Sequence, residues 1–212
     1  MNPPRVIIFV PGIMHDVEAT GWCDRAVMWT STHTDLIADK MEYASSWWGR
    51  RFVLGRLSKD LAQWCLTYAA HDGAEIELCG HSNGTEVIVR AVRELQQASR
   101  RIRLARIHLI AGAADESFER NGLNLALSLD VVGTVHIYNC ATPDKVLKLG
   151  RWSRRLFGWL GLGYGALGLN GPQHVAPDVA MRVFTTTVAD RTHTNWFDAD
   201  RFETTIKMVI TP

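Results

Sequence analysis

Ser82 is the residue whose setting most directly suggests chemistry. It lies in a G-x-S-x-G pentapeptide, Gly80-His81-Ser82-Asn83-Gly84. Before it runs the apolar stretch Ile76, Leu78, Cys79; after it Val87, Ile88, Ala91, Val92 and Leu95 recur at helical spacing. A sharp strand-to-helix turn of this kind lifts a serine hydroxyl clear of a sheet and holds its backbone under strain, the arrangement of a nucleophile elbow. Glycine fits two residues to either side because a side chain there would meet the turn and the neighbouring strand. A hydroxyl so placed attacks a carbonyl only if a base takes its proton and preoriented N–H groups receive the developing oxyanion.

Other polar groups carry weaker signals. His15 and Asp16 are adjacent, with no third ligand at metal spacing, and read as solvated loop groups. Gly163, Gly165 and Gly168 form a nominal G-x-G-x-x-G, but a helical pattern rather than a strand leads into it, which argues against dinucleotide binding. Cys23, Cys65, Cys79 and Cys140 lack C-x-x-C spacing, so neither a disulfide framework nor a zinc site is indicated. No cofactor and no metal is expected.

The GHSNG pentapeptide and the order of elements around it resemble the α/β-hydrolase superfamily, in particular its small serine esterases and lipases. The likeness runs from about Arg5 to the C-terminus. It implies a triad in the chain order Ser, Asp, His. His193, in the loop after the last strand, sits where the family keeps its base, with His174 and His81 as alternates. The turn is expected to aim His81 away from Ser82. Asp144, after the preceding strand, resembles the family's acid, which would accept the histidine Nδ1 hydrogen and hold the useful tautomer. Capping the following helix is the competing role of Asp144, and Asp115 is the reserve acid. The loop after the first strand supplies one oxyanion donor in the family, here Ile13 with Met14 as alternate, and Asn83 supplies the second. Pro11 replaces the histidine usual in the family's His-Gly pair, which leaves the choice between those first donors open.

The elements that must position these groups follow in order. Arg5 to Val10 reads as a buried parallel strand, Thr20 to Thr32 as a short helix, and Lys40 to Trp48 as a second strand. Arg51 to Ala70 reads as an amphipathic helix, and the elbow strand and helix come next. Ile107 to Ala111 and Thr134 to Cys140 read as further strands. Between them, Phe118 to Leu129 alternates leucines with period two; a helix is expected because a crossover between parallel strands needs a covering element. From Lys145, an apolar stripe of Val146, Leu149, Trp152, Leu156 and Leu160 lies beside a basic one of Lys145, Lys148, Arg151 and Arg155. The glycine-rich run Gly161 to Gly171 follows, read either as a flap over the serine or as an excursion packed on the core. Met181 to Val188 is the last strand, and a closing helix carries Phe202, Ile206 and Val209 on one face.

A chain of 212 residues, 47% hydrophobic, can bury one full core, so residues 1–212 are expected to form a single domain. The expected architecture is α/β, a mostly parallel sheet with helices on both faces and a short flap-like insertion between the last two strands. A net charge of +1 provides no field for nucleic acid. The apolar run near the N-terminus is too short for a signal segment or a membrane span, and with the scattered cysteines it points to the cytoplasm. The expected activity is metal-free cleavage of a small-molecule carboxylic ester or thioester through an acyl-enzyme. The rivals are an acyltransferase or amidase on the same residues, and a silent binding module. Weak lipid-surface contact through Lys145 to Gly171 is the one partner surface suggested, and nothing indicates the oligomeric state.

Overall fold

The computed structural model describes residues 3–12, 21–42, 50–71, 73–141, 145–149, 152 and 165–211. Six strands form one all-parallel sheet: β1 (Arg5–Val10), β2 (Ile37–Lys40), β3 (Glu75–His81), β4 (Leu104–Ile110), β5 (Val132–Cys140) and β6 (Val183–Val188), in the spatial order β2-β1-β3-β4-β5-β6. The order reverses at β1 and β3, which lie side by side with Val10 opposite Gly80. In open α/β sheets ligands bind beyond the carboxyl ends of the strands at such a reversal.

Alternation along the strands serves two apolar layers. Val6, Ile8, Ile76, Leu78, Ile107 and Leu109 face α2 (Arg50–His71), α3 (Gly84–Gln97) and α5 (Leu123–Ser128). Ile7, Phe9, Cys79, Ile110 and Tyr138 face α1 (Trp22–His33), Trp196, Phe197 and the C-terminal helix α6 (Phe202–Ile210). The central strands β1, β3, β4 and β5 thus bury both faces, as parallel strands do, whereas the edge strands β2 and β6 are partly exposed; each large aliphatic side chain removed from water contributes about 1.5–3 kcal/mol. Phe202, Ile206 and Val209 pack inward as their spacing requires. Among the described residues no helix is long and apolar enough to cross a membrane.

Four expectations need correction. The second strand is Ile37–Lys40 rather than Lys40 to Trp48; Met41 and Glu42 follow it, and residues 43–49 lie outside the described ones. The helix expected over Phe118 to Leu129 is two, α4 (Phe118–Asn121) and α5, because Gly122 at φ 83° breaks the run between them. The last strand begins at Val183, since Ala180–Arg182 form a single 3-10 turn. In the segment after β5, residues 145–149 are helical and Leu147 is buried, whereas Val146, Leu149 and Trp152 face solvent. The described members of the apolar stripe read from spacing are therefore not packed, and Leu156 and Leu160 lie outside the described residues.

One polar cluster lies in the α1 and α6 layer. Glu77, buried on β3, accepts a hydrogen bond from Arg5 at 2.7 Å and stands 3.5 Å from His108 Nε2 and 3.8 Å from Arg106. Burial alone would raise its pKa, but the hydrogen bonds and charges of His108, Arg5 and Arg106 outweigh it and hold the carboxyl at about 2 instead of 4.5. His136, stacked between His108 and Phe184 at centroid distances of 5.1 and 4.9 Å, is pushed down to about 4 by burial and by the charges of His108 and Arg106. The fold binds fewer protons than the unfolded chain at both groups, so stability rises with pH. Thermal stability should fall as pH drops from 6.5 toward 4 through His136, and further from 4.5 toward 2 through Glu77, the latter on the order of 3 kcal/mol. Calorimetry across this range checks the expectation; His136→Phe should flatten only the upper part.

Candidate active site

The pentapeptide makes the turn expected of it. Ser82 closes β3 at φ 52°, a left-handed conformation that is costly for a residue with a side chain. The surroundings hold it there. The Ser82 N–H donates to the Ile110 carbonyl at 3.0 Å, and the Ser82 carbonyl accepts from the Ala113 N–H at 3.1 Å, the Thr85 N–H at 3.2 Å and the Thr85 hydroxyl at 2.6 Å. The Thr85 hydroxyl oxygen in turn accepts from the Ala114 N–H at 3.2 Å. Both glycines are required sterically: a Cβ on Gly84 would lie 2.2 Å from the Val10 carbonyl oxygen, and one on Gly80 2.7 Å from Ile88 Cδ1.

From the other end of the chain comes His193, 8% exposed. Its Nε2 lies 2.7 Å from Ser82 Oγ. With the ring neutral and its proton on Nδ1, the serine hydroxyl donates to Nε2, the geometry from which an imidazole takes a hydroxyl proton. Ser82 itself is half-buried, so the hydroxyl is reachable from one side.

The loop bearing His193 is pinned at several points. The Thr192 N–H donates to Asn195 Oδ1 at 2.7 Å. Trp196, fully buried, has its carbonyl held by the Thr205 hydroxyl at 2.7 Å, and Arg25 donates to the Phe197 carbonyl at 2.5 Å. Phe197 stacks on Trp22 of α1 at 4.0 Å. His81 closes the frame: its Nε2–H donates to the His193 carbonyl at 2.8 Å, and its ring meets Phe197 edge-on at 5.4 Å. His81 therefore points toward the loop bearing His193 and steadies its backbone. Neither this role nor that of Thr85 was inferred from sequence, although His81 lies within the motif and Thr85 directly follows it.

The remaining candidates are placed as follows. Asn83 is buried at the N-terminus of α3, where its backbone N–H follows Ser82 directly; its carboxamide has no hydrogen-bond partner among the described residues. Ile13, Met14, His15, Asp16 and Asp144 lie outside the described residues. Asp115 forms a two-pronged pair with Arg120, at 2.9 and 3.2 Å, and accepts from the Ser117 N–H at 2.9 Å, a loop-ordering arrangement. His174 is exposed and at φ 53°, its carbonyl holding Asn124 at 2.8 Å. The described end of the glycine-rich run is packed: Gly165, Leu167 and Gly168 donate to the carbonyls of Ala113, Ala114 and Gly112 at 2.8, 3.2 and 2.8 Å. These are the carbonyls of the loop whose Ala113 N–H holds Ser82. Among the described residues no three His, Cys, Asp or Glu side chains are grouped to hold a metal ion.

No family model matches the sequence, and no curated protein matches it by sequence. Solved structures do match by shape. A thermostable esterase from Pseudomonas putida superposes with TM-score 0.57 at 12% identity, over 99% of this chain and 73% of its own. A hyperthermophilic esterase from Pyrobaculum calidifontis gives 0.56 at 12%, over 98% and 73%. An esterase from the fungus Rhizomucor miehei gives 0.53 at 11%, over 98% and 73%. At such identities the likeness establishes a shared fold and no more.

Proposed function

From the premise that this chain has the α/β-hydrolase fold, we propose that it is a serine hydrolase that cleaves a carboxylic ester or thioester through an acyl-enzyme. Ser82 attacks the carbonyl carbon while His193 takes its proton; the tetrahedral oxyanion collapses as His193 returns that proton to the leaving alcohol or thiol. Water, deprotonated by the same imidazole, then releases the acid. Asp144 orients His193, and the N–H groups of Asn83 and Ile13 receive the oxyanion, an interaction worth about 3 kcal/mol per donor. The observation that carries the reading is the 2.7 Å contact between Ser82 Oγ and His193 Nε2 on a strained turn. Four hydrogen bonds hold that serine in its strained conformation, and esterases among the structural neighbours support ester chemistry.

The test is labelling of the purified chain with a fluorophosphonate probe, followed by turnover of p-nitrophenyl esters of increasing acyl length. One probe per chain with measurable turnover is expected; an unlabelled, inert chain overturns the proposal.

His81 provides a finer expectation. If its Nε2–H steadies the His193 backbone, His81→Ala should lower kcat about ten- to a hundredfold with KM little changed, because small displacements of a base are costly. His81→Gln, which keeps an N–H donor of similar reach, should recover most of the loss in steady-state kinetics.

A further inference from the structure

After β5 the chain exposes the side chains whose spacing suggests burial. Residues 145–149 are helical, and of their side chains only Leu147 is buried, in a small cluster with Ala113 and Leu169. Ala113 is the residue whose N–H holds the Ser82 carbonyl, so the inner side of this helix rests on the loop that braces the nucleophile turn. Val146, Leu149 and Trp152 are turned outward, at 43, 61 and 58% exposed. Three-residue spacing sets Val146 and Leu149 on one stripe and Lys145 and Lys148 on the stripe beside it, and both lysines are exposed as well. The surrounding sequence has a strong bias of charge: between Asp144 and Asp178 it holds five of the chain's 23 Lys and Arg and none of its 22 Asp and Glu. Exposed singly, such apolar residues would call for no explanation; grouped beside cations on one turn of helix, they mark a contact surface.

We infer that this face docks the chain on an anionic bilayer, with Val146, Leu149 and Trp152 entering the boundary between headgroups and acyl chains and Lys145 and Lys148 lying among the headgroup phosphates. Apolar and basic side chains adjoin on one exposed face, so the partner must be apolar and negatively charged side by side, as the surface of such a bilayer is. The described cations are lysines, whose ammonium is a point charge that accepts any arrangement of phosphates; a fixed carboxylate or phosphate on a protein is better read by the planar fork of arginine. A second copy docked about a two-fold axis would bring the lysine stripe toward itself, with no acidic residue between Asp144 and Asp178 to offset the repulsion. Because β3, β4 and β5 run parallel, the helix after β5 starts from the same edge of the sheet at which β3 delivers Ser82. Docking therefore holds the serine's edge of the sheet toward the membrane. The inference does not depend on the proposed hydrolysis.

Co-sedimentation of the intact chain with sucrose-loaded vesicles tests it. Vesicles of phosphatidylcholine with about one third phosphatidylglycerol should carry the chain down at low ionic strength, and vesicles of phosphatidylcholine alone should leave most of it in solution. Added salt should release much of the bound chain, because charges at a surface are screened. Lys145→Glu combined with Lys148→Glu should lower the partition coefficient on anionic vesicles at least about tenfold, and Leu149→Asp should lower it by a similar factor. Both sets change exposed side chains, so circular dichroism should not move. Leu125→Asp, also at an exposed leucine but on α5, should leave partition unchanged. A chain that ignores anionic vesicles, or binds them undiminished by both sets of substitutions, overturns the inference, as does a dimer in solution that Leu149→Asp dissociates while vesicles stay unbound.

Discussion

Ser82→Ala is expected to abolish fluorophosphonate labelling and to cut kcat for ester hydrolysis by about 10⁴-fold or more, with the fold intact. The size of the effect follows from what one hydroxyl does. On the proposed mechanism Oγ is the atom that forms the acyl bond, so its removal is the loss of a reaction path and not of a contact. The fold should tolerate the change, because the bonds that hold the turn run through the Ser82 backbone and Thr85, not through Oγ. Alanine at φ 52° bears much the same backbone strain as serine, so the thermal midpoint should shift little. Circular dichroism and steady-state turnover of a p-nitrophenyl ester check both halves. A drop in kcat accompanied by unfolding would leave the nucleophile unsupported.

His193→Ala should cost a comparable factor, about 10⁴ in kcat, and its combination with Ser82→Ala should cost no more than either change alone. Residues that act as one unit are not additive: without the base, the 2.7 Å partner of Ser82 is gone and the hydroxyl keeps its proton; without the hydroxyl, the base has no proton to take. Independent residues would multiply their losses instead. Kinetics of the two single variants and the double variant distinguish these cases, and a multiplicative double loss would mean that Ser82 and His193 act separately.

The site was legible where chemistry imposes local sequence. The elbow is such a place: no residue but glycine clears the Val10 carbonyl at position 84, and a strand must enter and a helix leave, so steric demand writes itself into five consecutive residues. His193 could be placed because it follows the final core strand. The framework around it was less legible. Trp196 and Phe197 anchor the base loop from a single 3-10 turn, whose three residues show no periodicity, and Trp22 could not be paired with Phe197 across such a separation in sequence.

Among the elements, buried strands were the easiest to recognise, since packing on both faces demands continuous apolar runs such as Val6 to Val10. The second strand was misplaced for the opposite reason. Ile37-Ala38-Asp39-Lys40 lies at an edge and is partly exposed along its length, so nothing in its composition announces a strand, whereas the aromatic residues after Met41 do. The period-two leucines after Phe118 belong to helices: Leu123 and Leu127 turn inward while Leu125 and Leu129 face solvent, and Gly122 breaks the run in a way that only its φ makes plain. Val183 to Val188 was recognised as a strand, but its exposure was not, because the covering of an edge is decided by tertiary structure alone.

A carbonyl carbon is expected to become bonded to Ser82 during turnover. Rapid mixing with a p-nitrophenyl ester, acid quenching within the first turnover and peptide mass spectrometry test it most directly. A burst of p-nitrophenolate close to one per chain is expected, with an acyl adduct on the peptide containing Ser82. No burst and no adduct, or an adduct confined to another residue, would contradict it.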